Sequence, residues 1–190
     1  HYNNVMKTEF NYIPKYLNHY QEKNHNQPHI VYLAATDKVK VGVTRETQVP
    51  TRWIDQGAHQ TIVLARTPNR YLAGVLEVAL KALYTDKTNW RSMLKNIIDS
   101  TIDLEEEKWS CCEVLPNDLQ QYFTEDDTIF TLHFPTTQYP EKIQTLNLLK
   151  QDCFEGILTG IKGQYLIFDH QTVFNVRRHT SFEIELHINE

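Results

Sequence analysis

Between residues 32 and 77 the chain presents a phenol (Tyr32), an ammonium (Lys40), a guanidinium (Arg52) and a carboxylate (Glu77). Together these groups can bend a phosphodiester and hold a divalent metal. Mg²⁺ keeps several of its waters and takes few protein carboxylates, so Glu77 and a substrate phosphate suffice to anchor Mg²⁺ or Mn²⁺. Arg52 can fork onto two phosphate oxygens and offset the negative charge that grows in the transition state. Tyr32 can orient or deprotonate the attacking water; a phenol of pKa about 10 needs a nearby cation for the second role. Lys40 is a candidate for that cation, or for protonating the leaving oxygen. Each residue also has a plainer reading: Tyr32 as a core aromatic, Arg52 and Glu77 as a structural ion pair, Lys40 as an edge-strand charge that discourages aggregation.

The elements that must position them are legible as periodicity and punctuation. His29–Ala35 is an apolar, β-branched run, Val39–Val43 its antiparallel partner, and Thr36-Asp37-Lys38 the turn between them. Pro50 suits the first turn of a helix carrying Thr51-Arg52-Trp53-Ile54, which Gly57 ends. Thr61–Ala65 reads as a third strand. Pro68 opens a helix whose Leu72, Val75, Leu76, Ala79, Leu80 and Leu83 recur at helical spacing, with Glu77 on the margin of that stripe. A helix over 90–98 and an acidic helix over 104–112 follow. After Asn117 short runs (TIFTLHF, TLNLL, FEGILTGI, QYLIF, TVFNV, SFEIELHI) alternate apolar and polar residues, as in an antiparallel sheet or small barrel. The expected class is α+β: an extension over 1–28 with one strand near Lys7–Tyr12, a domain over 29–98, an acidic helical connector over 99–128 and an antiparallel β-rich domain over 129–190.

Net charge is −5 over 190 residues, which alone disfavours a polyanionic partner. Its distribution points the other way: residues 30–95 hold 10 Lys/Arg against 5 Asp/Glu, and residues 99–155 hold 3 against 13. A basic first half is a pointer to nucleic acid, and an acidic 103–127 offers a docking segment for a basic protein partner. Two halves attracting each other, or an ordinary solvated surface, would look the same. No run approaches the roughly 20 apolar residues of a membrane span, so no membrane partner is expected. The opening residues (HYNNVMKTEF) show no basic-then-apolar secretion signal. Cys111, Cys112 and Cys153 are odd in number and build no disulfide framework, so a reducing, cytoplasmic setting is expected.

Tyr32, Lys40-Val41-Gly42, Arg52 and Glu77, in a β-turn-β-α-β-α order, resemble the GIY-YIG nuclease superfamily over about residues 29–95. Ile30-Val31-Tyr32 stands at the first hallmark triplet and Lys40-Val41-Gly42 at the second, where branches common in phage proteins read Lys-Ile-Gly. The resemblance implies a small three-stranded mixed sheet flanked by helices, with Tyr32, Lys40 and Arg52 catalytic and Glu77 on the metal. The strings QPHIVYLA, KVGVTR, PTRWIDQGA, DKTNWR and GIKGQYLIF also resemble, from Gln27 to Leu186, the bacterial family of domain of unknown function 2797. In that family a Cys-rich, zinc-binding segment precedes the QPH string. Here NHYQEKNHNQ occupies that place without a cysteine, so zinc is not expected.

Arg45, Lys87, Arg91, Arg177 and Arg178 are the further candidates for nucleic-acid contact. Lys87 and Arg91 lie near a helix start that Asp86 would cap, where backbone amides also meet phosphate; Trp90 there equally reads as core. Arg177-Arg178 form a small basic patch that equally reads as an exposed strand end. Gly160 and Gly163 lack the Gly-Lys-Ser/Thr ending of a phosphate loop and read as strand bends. The leading expectation is divalent-metal-dependent cleavage of nucleic acid. The alternatives are a non-catalytic nucleic-acid or nucleotide-binding module and a protein-interaction scaffold.

Overall fold

The computed structural model describes residues 23–188 except Ala82 and residues 85–88. The expected strand near Lys7–Tyr12 lies outside the described residues. The centre of the first sheet is β1 (His29–Ala35), buried at every position. A strand covered on both faces has no polar side to show, which is why its sequence is a continuous apolar run rather than an alternation. The turn at Thr36–Lys38 returns the chain as β2 (Val39–Arg45), with the Thr36 hydroxyl donating to the Lys38 carbonyl at 3.3 Å. β3 (Gln60–Thr67) flanks β1 on its other side, with a bulge between Val31 and Tyr32.

A further strand, β4 (Ile129–Thr131), pairs with β3, so the sheet runs β2-β1-β3-β4 and is antiparallel throughout. This corrects the expected three-stranded mixed sheet. Ile129–Thr131, expected in the β-rich C-terminal part, instead completes the first sheet.

The two faces of β1 meet different partners. Val31, Leu33 and Ala35 pack against α2 (Arg70–Leu80) and α4 (Leu104–Val114) through Ala73, Leu76, Leu80, Leu104 and Cys111. Ile30, Tyr32 and Ala34 pack against Trp53 of α1 (Thr51–Asp55), with Ala58 and Val63. Asn69 caps α2 by accepting from the Leu72 amide at 3.0 Å. The helix ends at Leu80, so Leu83, expected on its stripe, lies beyond it and is exposed. α3 (Trp90–Leu94) is shorter than the expected 90–98, because Asn96 adopts a left-handed φ of 55° just past its end. Asp103 caps α4, and Glu105–Glu107 in its first turn favour the positive end of the helix dipole.

The second sheet runs β5 (Gln144–Thr145), β8 (Thr172–Asn175), β7 (Tyr165–Phe168), β6 (Leu158–Lys162), and is mixed because β5 and β8 are parallel. Ile167 and Val173 pack on Met93 and Leu94 of α3. That helix joins the layers, since Met93 also fills the space beside Gly57 at the end of α1. SFEIELHI, expected as a strand, is not one: Ile184, Leu186 and Ile188 are exposed, and alternation forms a strand only where a partner edge receives it.

Candidate functional site

Tyr32 and Gly42 are directly opposed across β1 and β2. Alternation therefore puts Lys40, Gly42 and Thr44 on the face that carries Ile30, Tyr32 and Ala34. At Gly42 the need is for space: a Cβ there would lie 2.6 Å from Tyr32 Cζ and 2.7 Å from its hydroxyl oxygen. The phenol thus crosses the edge strand through the gap that glycine leaves. Trp53 packs against the ring edge-on, centroids 5.8 Å apart, and the hydroxyl donates to Gln56 Oε1 at 2.8 Å.

Charged groups from both layers act on this hydroxyl. Burial pushes the Tyr32 phenol up to about 12; Arg52 and the Gln56 hydrogen bond oppose that shift, and Glu77 adds to it. Arg52 belongs to α1 on the Tyr32 face, and Glu77 to α2 beneath the opposite face. The phenol therefore keeps its proton at neutral pH and acts as a donor. That proton is engaged by Gln56 in a fully buried residue, and the raised pKa weighs against deprotonation of a water by Tyr32. Lys40 sits one register pair away, opposite Ala34 and half-buried on the same face.

Glu77 pairs with Arg70 at 3.5 Å, a long contact at the limit of a hydrogen bond. The Arg70 side chain lies back along α2, over Gly74, where a Cβ would come 3.0 Å from its Nη1. Arg70 also lines a polar cavity with His25, His29, Thr44, Arg45 and Gln48, at the open end of the β1–β2 hairpin. Gln56 and Arg70 are the site residues that sequence reasoning missed. Their spacing was the available signal: Gln56 lies four residues after Arg52, and Arg70, Gly74 and Glu77 follow at helical intervals.

Lys87 lies outside the described residues. Arg91 is held 4.3 Å over the Trp90 ring, which stacks on Tyr165 of the second sheet. Arg177 and Arg178 occupy a short 3-10 turn after β8. These arginines are organised around the second sheet, whereas Arg45 lines the cavity beside α2.

A family model described as protein of unknown function (DUF2797) matches residues 15–184. The chain belongs to the DUF2797 family. The comparisons find no matching curated protein and no matching solved structure. In this DUF2797 chain, no helix among the described residues is long and apolar enough to cross a membrane.

Among the described residues no group of three or more His, Cys, Asp or Glu could hold a metal. The donor set fits only an ion that keeps water and shares substrate oxygens. Glu77, partly exposed and loosely paired, suits that mode. The acidic segment has several internal partners. Asp103 caps α4, Glu107 accepts from the Tyr84 hydroxyl at 2.8 Å, Asp126 accepts from that of Thr128 at 2.6 Å, and Asp127 pairs with fully buried Lys108 at 2.7 Å.

Proposed function

We propose that the protein cleaves phosphodiester bonds of nucleic acid with the aid of a divalent cation. What carries this reading is the Tyr32 hydroxyl, delivered across Gly42 into the field of both Arg52 and Glu77. The GIY-YIG resemblance of the same residues supports it. Glu77 would hold Mg²⁺ or Mn²⁺, which polarises a phosphoryl oxygen and offsets developing charge. Arg52 pairs with the non-bridging oxygens. Tyr32, once substrate displaces Gln56 from its hydroxyl, donates to a phosphate oxygen, and Lys40 donates toward the leaving oxygen. Water adds to phosphorus as the P–O ester bond breaks, leaving a phosphate monoester and an alcohol.

The test is incubation with plasmid, single-stranded DNA and RNA in Mg²⁺ or Mn²⁺, beside Glu77→Gln and Arg52→Ala. Wild type should cut, with both variants slower by about a hundredfold or more. Wild type cutting no faster than either variant removes catalysis.

A second reading, a non-catalytic nucleic-acid-binding module, is favoured by one observation. The Tyr32 hydroxyl is buried against Gln56 and the Glu77 carboxylate is engaged by Arg70. Binding through the basic face should then weaken steeply with salt, because neutralised phosphates release counterions. A flat salt response counts against it.

A further inference from the structure

Where the β1–β2 hairpin opens, His29, Thr44 and Arg45 meet Gln48, His25 and Arg70 around a cavity of roughly 190 Å³. We propose that this cavity binds a phosphate-class oxyanion, either a free or terminal phosphate or a backbone phosphate of nucleic acid. Tyr32 is not among its described lining residues, and anion binding there does not depend on the cleavage reading.

Among the described residues the lining offers two guanidiniums and two imidazoles and includes no Asp or Glu, while the Thr44 hydroxyl donates to Gln48 Oε1 at 3.2 Å. The volume falls below the roughly 300–1,000 Å³ of pockets that enclose drug-sized ligands, and suits one small anion. Arg45 is oriented by Asn24, whose Oδ1 accepts its Nη1 at 2.6 Å. Among the described residues Arg70 is compensated by the long contact to Glu77, at 3.5 Å, and its side chain is 41% exposed. The cluster is also self-repelling. Burial lowers the His29 pKa first; the Gln27 carbonyl opposes that, and Arg70, His25 and Arg45 each lower it further. An anion between these groups would relieve the repulsion. Planar guanidiniums match tetrahedral oxyanions by paired, charge-assisted hydrogen bonds, and two of them line this cavity.

The cavity sits near the Tyr32 rim. Thr44 follows Gly42 by two residues on the same face of β2, a separation of roughly 6.7 Å along a strand. Arg70 touches both places, since it lines the cavity and contacts Glu77.

The test titrates the full chain at low salt with inorganic phosphate, and separately with an unphosphorylated single-stranded DNA oligonucleotide, by calorimetry. Phosphate should saturate a single site, and Arg45→Gln and Arg70→Gln should each raise Kd about tenfold or more. Tyr32→Phe should leave phosphate binding unchanged while impairing cleavage, so the two proposals fail separately. Weaker oligonucleotide binding in the Arg45 variant assigns the site to backbone phosphate; an effect on inorganic phosphate alone assigns it to free or terminal phosphate. Histidine imidazole resonances of the wild type provide a readout without mutation: His25 and His29 should shift with phosphate while His133 and His170 do not. No saturable phosphate binding, wild-type affinity in both arginine variants, or uniform shifts of all four histidines would each overturn the proposal.

Discussion

Gly42→Ala is the substitution that asks most directly whether the phenol crosses the edge strand. Gly42 has no left-handed φ, so alanine meets no backbone strain, and the whole effect comes from one methyl group. That methyl would sit 2.6 Å from Tyr32 Cζ, 2.7 Å from its hydroxyl oxygen and 3.0 Å from Cε2. The ring has little room to yield, with Trp53 on its edge and Gln56 holding the hydroxyl. Overpacking of this kind costs about 1–3 kcal/mol, while replacing glycine inside a strand returns about 0.5–1 kcal/mol. Gly42→Ala should therefore destabilise the protein by about 0.5–2 kcal/mol, read as a lower urea midpoint at unchanged slope.

The decisive comparison repeats the substitution in a Tyr32→Leu background, where the distal ring atoms are gone. Gly42→Ala should there be neutral or mildly stabilising, giving a coupling energy of about 1–3 kcal/mol in the cycle. If Gly42→Ala costs the same with and without the ring, the phenol does not lie over Gly42, and the delivery of its hydroxyl toward Arg52 and Glu77 is wrong.

Two more predictions concern buried lysines. Asp127→Ala strands the fully buried Lys108 ammonium, leaving it the Asp126 carbonyl and two aromatic rings, and should cost about 3–5 kcal/mol in urea unfolding. Lys108→Met should cost clearly less, because Asp127 is partly exposed and can turn to water; the reverse order would refute the pairing as described. Lys162 is buried in contact with Asn96, Phe134 and Tyr139, and burial lowers its pKa from 10.5 to about 8. The folded state therefore sheds this proton before the unfolded chain does, so wild-type stability relative to Lys162→Met should rise from pH 8 to 10.5 by about 3 kcal/mol. A pH-independent difference would place the ammonium in contact with water.

What the chain discloses before folding is mostly local. The β1–β2 hairpin was legible because a seven-residue apolar run, a turn and a second strand follow without interruption. The α2 stripe was legible to Leu80 and then misled, because Leu83 keeps the helical interval after the helix has stopped. What stayed hidden was the outcome of competition between distant segments. Nothing near Ile129 distinguishes a strand for the second sheet from one that completes the first; only the free edge of β3 decides it. Composition alone did not separate the exposed carboxylates of the acidic block, such as Glu105 and Glu113, from Asp103, which caps a helix, or Asp127, which meets a buried lysine. The candidate site was legible as residue types. Its geometry depends on Gly42, which local reading took only as the close of a triplet.

The position of the site at the rim of the sheet follows from where its parts come from. A side chain on the central strand is confined to one face and covered by the helix packed there, so alone it meets only that layer. Arg52 arrives on that layer, whereas Glu77 arrives on the helix beneath the other face. Groups from opposite layers can approach each other only past an edge, and here the edge is β2. A residue with a side chain at position 42 would close that route from the centre. Glycine opposite Tyr32 leaves it open, and the phenol spans one strand width to reach the place where both charges are felt. The same edge, two residues further along β2, places Thr44 at the wall of the arginine-lined cavity, with Arg70 reaching both that cavity and Glu77. An extended polyanion lying along β2 would therefore meet positive groups on both sides of the phenol, a requirement that a substrate confined to one face of the sheet would not impose.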